Sequence, residues 1–320
     1  MRGDGSPPTA PTIPDTPPID VMAVDVMAPR ARDRGDRRIG LKIGVVLLAV
    51  IAFVSIAAPI VAPKDPYTES VAGLGPDGGP RGPSLEWPLG TDAKGRDVSS
   101  RLIFGGRVTF GGSALAIAVA TLIGLAIGLF AASSGGALGS LLMRATDIGL
   151  AIPGLLLAAA LVSVLGPGVS SLTVALIAVF WAPLARITYG QAVVIKERPF
   201  VEAARSLGAG RVRIMVAEVT PHVLPIVLAY AALSIGWAAL FESSLGFLGL
   251  GVQEPMPSIG AMLGSGLGYY RLHPGLIVFP ALYLGLFVTG TTLIGEGLRK
   301  PRRRVASAKP ATATLRMIGR

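Results

Sequence analysis

The sequence predicts an all-α polytopic membrane protein with six transmembrane helices and both termini on the cytoplasmic side. Three observations carry this prediction. Hydrophobic residues make up 51% of the 320 residues and charged residues only 15%, with a mean hydropathy of +0.63, an apolar excess beyond what a water-soluble core buries. Six apolar runs reach the ~20 residues that a bilayer requires. Basic residues cluster beside alternate runs, the asymmetry that keeps Lys- and Arg-rich segments inside.

Residues 1–38 read as a disordered cytoplasmic tail, because Met1–Pro29 is rich in Pro, Thr, Asp and Ala and has no helical or strand period. The run Leu41–Ala62 is too long and too far from the start for a secretory signal, so residues 39–62 are the expected first span. Residues 63–107 form an extracytoplasmic loop, Pro- and Gly-rich at first. Near its end Asp97 is placed to cap a short interfacial helix and to pair with Arg101 at i,i+4. The remaining spans are Val108–Ala132, Leu138–Leu165, Ser171–Val194, Val223–Leu245 and Pro274–Ile294, a five-helix core within residues 108–297, followed by a basic tail at 298–320.

Three basic clusters fix the orientation. Arg30, Arg32, Arg34, Arg37, Arg38 and Lys42 precede the first span; Lys196, Arg198, Arg205, Arg211 and Arg213 follow the fourth; Arg299, Lys300, Arg302, Arg303 and Arg304 follow the sixth. All three are expected in the cytoplasm. They adjoin apolar spans rather than alternating with aromatics, so the net charge of +10 reads as a topology signal and not as a nucleic-acid footprint.

Catalytic patterns are missing. There is no cysteine, no Gly-Lys pair and hence no P-loop, and His222 and His273 are isolated. No H-E-x-x-H or G-x-S-x-G occurs. The chain is expected to be non-enzymatic, with no cofactor and no metal of its own. Ionisable residues within spans are costly and draw attention to a pore or a partner. Arg144 and Asp147, at i,i+3, either pair with each other or meet cargo. Arg186 either snorkels to the interface or serves the pore. Glu242 is either a helix-end contact or a place on the cargo path. Gly124 and Gly128 form a G-x-x-x-G pair suited to close helix packing.

Between the fourth and fifth spans, residues 196–221 hold a charged segment with a glycine break. Pro199 suits a helix first turn, Glu202 sits near the positive end of the helix dipole, and Val201, Ala204 and Leu207 recur at helical spacing. Gly208 and Gly210 break the helix, Val212–Ala217 resumes it, and Pro221 and Pro225 mark the start of the fifth span. Two readings fit a helix–turn–helix here: an amphipathic loop in the headgroup region, or a protruding helix that fits a groove on a soluble partner.

"EAARSLG", Glu202 to Gly208, with Pro221 thirteen residues after that glycine, resembles the EAA loop of ABC-importer permeases. "WPLGTDAKGRDVSSRLIFGGRV" from Trp87, "MRATDIGLAIP" from Met143, "ESSLGFLGLGVQEPMPSIGAML" from Glu242 and "IGEGLR" from Ile294 are similar to the second permease of dipeptide and oligopeptide uptake systems. Glu218, Thr220, His222 and Ile259 depart from the usual pattern. The resemblance implies a type I importer permease of a bacterial inner membrane. It would pair with a homologous permease, two ATPase subunits that carry ATP and magnesium, and an extracytoplasmic binding protein. Glu202, Ala203, Ala204, Leu207 and Gly208 would form the ATPase-coupling site. Peptide is the implied cargo, with nickel, opine or glutathione as alternatives; a gradient-driven carrier and a membrane scaffold are the rival classes.

Overall fold

The computed structural model describes residues 34–298, with side chains from residue 38. The expectations for residues 1–33 and 299–320 lie outside these described residues. The elements in order are α1 (Arg34–Ile56), α2 (Ala58–Val61), α3 (Val98–Ser134), α4 (Gly136–Ala151), α5 (Gly154–Leu165), α6 (Val169–Lys196), α7 (Pro199–Ser206), α8 (Arg211–Arg213), a π-helical turn (Ile214–Val219), α9 (Thr220–Phe247), α10 (Ile259–Gly266) and α11 (Gly275–Leu298). Among the described residues β structure is limited to two isolated bridges, Leu74–Pro80 and Thr91–Asp97. Five helices are long and apolar enough to cross a bilayer, and α4 with α5 makes a sixth, broken span.

Four boundaries differ from the sequence prediction, each for a local reason. The first helix starts at Arg34, inside the stretch assigned to the tail, and stops at Ile56 before the short α2 that carries Pro59. The interfacial helix at Val98 is not separate. Asp97 caps it by accepting from Ser100 N at 2.7 Å, and with no proline after it the helix runs on to Ser134. The third span bends by 86° between α4 and α5. Pro153 has no N–H to give, and Ile152 before it is extended at φ −83°, ψ 127°. The fifth span does not begin at Pro221 or Pro225, since both prolines lie within a continuous helix from Arg211 to Phe247. The π turn supplies its register change: Thr220 N donates to Met215 O, five residues back.

Small residues set the packing. A Cβ on Gly124 would stand 2.7 Å from Leu184 Cβ, and one on Gly128 2.6 Å from Ala185 O, so the G-x-x-x-G pair seats α3 on α6 at a separation only glycine permits. Around this seam Ile117, Leu176, Leu184, Val219, Val223 and Val227 form the largest core. Helix α1 lies along α11, with Gly44 against Gly290 and Leu293 and Leu41 against Gly297. Gly295 of α11 in turn meets Leu233 and Ala229 of α9. The early residues of α1, the late residues of α11 and the early residues of α9 therefore share one end of the bundle.

At the opposite end the loop before α3 is held by ions. Arg96, 3% exposed, pairs with Asp92 at 2.7 Å and Glu254 at 2.8 Å, while Lys94 pairs with Glu254 and Glu69. The predicted Asp97–Arg101 pair does not form. Asp97 Oδ2 is occupied by Ser99, Ser100 N and Ser100 Oγ, and Arg101 turns instead to Asp92 at 3.3 Å and to the carbonyl of Pro66 at 3.0 Å. Hydrogen bonds from Arg96 and then Lys94 hold the Glu254 carboxyl down at about 2, well below the usual carboxylate range.

Candidate functional site

The segment between α6 and α9 protrudes as a helix and a tight turn. Val201 is fully buried in the main core with Ile214, Met215 and Val219, and this one anchor fixes the rotation of α7. Glu202, one residue on, is exposed in the first turn, as is Ala203, while Ala204 is half-buried. Leu207 is 89% exposed, an apolar side chain presented to the surroundings. Gly208 N donates to Arg205 O at 2.9 Å and Ala209 N to Ala204 O at 3.1 Å, the paired bonds of a Schellman ending. Its left-handed residue is Gly208, at φ +86°, a conformation that costs an L side chain about 1–2 kcal/mol. The five residues expected to couple to an ATPase thus lie together on one exposed helix–turn unit.

The turn is tied to the next helix. Thr220 Oγ1 donates to Met215 O at 2.7 Å across the π turn. The ring of His222 lies 4.9 Å from that of Phe200, and its Nδ1 is 2.7 Å from Glu218 O. Thr220 and His222, two of the departures from the familiar pattern, therefore brace the base of the unit rather than its exposed face, and Glu218 takes part through its carbonyl.

The polar residues within spans are arranged differently from the sequence expectation. Arg144 and Asp147 do not pair. Asp147 instead meets Arg186 across α4 and α6, with Nη1 to Oδ1 at 3.3 Å and both side chains about half exposed. Arg186 stands ten residues, about 15 Å of helix, from the end of α6 at Lys196. Arg144 is exposed on the same helix as Asp147. Glu242 is not a helix-end contact. It is 4% exposed, its Oε1 has no partner, its Oε2 lies a long 3.5 Å from Ser243 Oγ, and it borders a void of about 10 Å3 beside Gly112 and Leu176.

Three arrangements had no counterpart in the sequence reading. An apolar cavity of about 230 Å3 opens at the α4–α5 bend, lined by Gly154, Phe180, Trp237 and Phe241 among others. A larger cavity of about 560 Å3 lies beside α7 and includes Lys196, Arg205 and Arg211. The Arg96–Glu254 network joins loops 158 residues apart. Only the second left a trace in the sequence: Arg205 follows the buried Val201 by four residues, which puts both on one helix face. Among the described residues no group of His, Cys, Asp and Glu is arranged to hold a metal ion.

Residues 124–303 match the family described as the binding-protein-dependent transport system inner membrane component. The chain is 33% identical over 261 residues to the dipeptide transport system permease protein DppC of Haemophilus influenzae, spanning 81% of this chain and 88% of that protein. It is 37% identical over 257 residues to the di/tripeptide transport system permease protein DppC of Pseudomonas aeruginosa, spanning 80% and 85%. The glutathione transport system permease protein GsiD of Pectobacterium atrosepticum is 36% identical over 219 residues, spanning 68% of this chain and 72% of that protein. With five long apolar helices, a sixth broken span and this extent of shared sequence, the chain belongs to the family of inner membrane components of binding-protein-dependent transport systems.

Proposed function

We propose that this chain is one of two permease subunits of an ATP-driven importer of dipeptides and oligopeptides, and that α7 is the helix through which the ATPases drive it. The observation that carries the reading is the exposed unit Glu202–Gly208, anchored by Val201 and closed by a left-handed glycine. A short helix held rigidly at its base and apolar at its tip, Leu207, suits a groove on a soluble subunit. Partners in this reading are a homologous permease, two ATPase subunits that bind ATP and magnesium, and an extracytoplasmic binding protein. This chain contributes no catalytic residue. The end of the bundle that bears α7 and both described chain ends faces the cytoplasm, in keeping with the basic clusters. Peptide cargo is supported by the dipeptide, di/tripeptide and glutathione names of the relatives.

The pore wall in this reading includes the α4–α6 face. A half-exposed ion pair such as Asp147–Arg186 is costly against lipid and favours a water-filled path. Arg144 shares that helix. Glu242 is buried within α9. The mechanism is alternating access: closure of the ATPases moves α7 of each permease, and the two bundles rock about the cargo path.

Reversing one charge tests the docking. In the assembled complex, Glu202→Lys should leave the permease in the membrane, weaken ATPase retention on purification at least tenfold, and abolish uptake of a radiolabelled dipeptide. A basic-to-acidic change in the ATPase groove should restore part of both. Wild-type uptake by Glu202→Lys with the ATPase still bound refutes the docking role. Normal dipeptide uptake in cells deleted for this subunit and lacking redundant systems refutes the cargo.

A further inference from the structure

The cavity of about 560 Å3 behind α7 has no part in cargo passage as described above, and it shares only Arg205 with the exposed unit Glu202–Gly208. Its walls include Ser133 and Ser134 at the end of α3, Lys196 at the end of α6, Arg205 on α7 and Arg211 at the start of α8. Three cations and no acidic side chain line it. Among the described residues no carboxylate pairs with Lys196, Arg205 or Arg211. Lys196 Nζ gives one hydrogen bond to Ala132 O at 2.9 Å, which ties the ends of α3 and α6 together at the cavity wall. The volume lies within the range of small-molecule sites, roughly 300–1,000 Å3.

Its position indicates what fills it. Arg205 lies one turn after the fully buried Val201; it is itself exposed and lines the cavity from α7. Glu202 and Leu207 occupy the outer side. The cavity therefore opens between α7 and the last turns of two membrane-spanning helices, with the buried side chains of Ile214 and Met215 forming its apolar wall. Its walls come from the last turns of two helices long enough to cross a bilayer, on the end of the bundle assigned above to the cytoplasm, where basic residues meet anionic headgroups. Guanidinium pairs grip phosphate oxygens through parallel N–H donors, an ammonium adds a point charge, and hydroxyls complete the shell.

We propose that this cavity binds the phosphate-bearing headgroup of an anionic phospholipid from the adjacent leaflet, and that the bound lipid braces α7 against the ends of α3 and α6. Three uncompensated cations within one cavity repel one another, and a phosphodiester that bridges them relieves that repulsion. The lipid source is favoured over free phosphate because the cavity adjoins the last turns of two bilayer-length helices, α3 and α6. It is favoured over a carboxylate of a docked protein because the outer side of α7, not this one, faces the partner.

The test uses the purified full-length chain in detergent, read by native mass spectrometry during titration with phosphatidylglycerol, phosphatidylcholine or inorganic phosphate. Phosphatidylglycerol should be retained at least tenfold more tightly than phosphatidylcholine, and millimolar phosphate should not displace it. Arg205→Gln with Arg211→Gln should weaken retention about tenfold, whereas Arg205→Lys with Arg211→Lys should keep most of it. Arg198→Gln with Arg213→Gln removes the same charge from exposed positions outside the cavity and should change retention less than twofold. Equal loss in the two glutamine pairs, no preference for the anionic lipid, or full displacement by phosphate overturns the headgroup site. Hydrogen exchange over residues 199–213 should slow several-fold when phosphatidylglycerol binds the wild type; unchanged exchange overturns the bracing.

Discussion

Replacement of Gly208 by alanine isolates the conformational requirement of the α7 turn. At φ +86° the residue sits in the left-handed region, and a Cβ built there meets no atom within 4 Å. The penalty is therefore backbone strain alone, about 1–2 kcal/mol, offset by roughly 0.5 kcal/mol because alanine has fewer states to lose. A net cost near 1 kcal/mol corresponds to about a fivefold rise in local opening. Asparagine tolerates this region better and should cost less than half as much. Hydrogen exchange of the full-length chain, read on the peptide covering 199–213, should show the Gly208 and Ala209 amides opening about fivefold faster in Gly208→Ala and less than threefold faster in Gly208→Asn. Gly210→Ala is the control, since Gly210 has φ −70° and open space around it, and its exchange should match the wild type. Wild-type exchange in Gly208→Ala, or a Gly210→Ala effect as large as that of Gly208→Ala, refutes the assignment of strain to this one residue.

Four further outcomes follow from other parts of the fold. With no native cysteine, Gly82→Cys in the loop before α3 should react with an impermeant thiol reagent on intact cells, and Gly210→Cys only after lysis; the reverse pattern inverts the topology. Gly124→Leu should destabilise the protein by about 1–3 kcal/mol by forcing α3 off Leu184, whereas Gly112→Leu, in open space, should leave the melting temperature within a few degrees. Glu254→Gln should lower stability at neutral pH by no more than ~1 kcal/mol, since the carboxylate is half exposed and screened. Because the folded pKa is depressed to about 2, the wild-type advantage should be complete above about pH 4.5 and fade as pH falls toward 2, as followed by melting curves. Asp147→Arg should impair dipeptide uptake at least tenfold by setting like charges together, and Asp147→Arg with Arg186→Asp should recover a large part; no recovery means the pair does not act as a unit.

The spans themselves were legible because hydrocarbon thickness imposes a length that composition reveals directly. The core spans stand within a few residues of the apolar runs except where backbone chemistry intervenes. Pro153 broke the third span, yet a count of apolar residues passes over a single proline flanked by Ile152 and Gly154. Pro221 and Pro225 misled in the opposite direction, since a π turn just upstream let the helix continue through both. Much of the α7 segment was readable, since its helix, its exposed carboxylate and its glycine turn are local in sequence, but Leu207, which helical spacing groups with the buried Val201, is 89% exposed. Charge pairing was not. Arg144 and Arg101 had acidic neighbours at helical spacing, but Asp147 met Arg186 on another helix, Asp97 was taken up by the serines of its own first turn, and Arg101 turned to Asp92 in the preceding loop. The cavity of Lys196, Arg205 and Arg211 also needs three elements to meet before it exists.

One consequence follows from the length of α3. Thirty-seven residues make a rod about 55 Å long, against a hydrocarbon slab of ~30 Å, so tilt aside, some 25 Å of it projects beyond the lipid. Its outer end is clamped through Arg101 to Asp92 and the carbonyl of Pro66, and its inner end is gripped at Ala132 by Lys196. A helix fastened at both ends and seated on α6 along its middle cannot absorb a push by local yielding. In the proposed orientation, one continuous helix thus joins the loop before α3 to Ser133 and Ser134, beside α7.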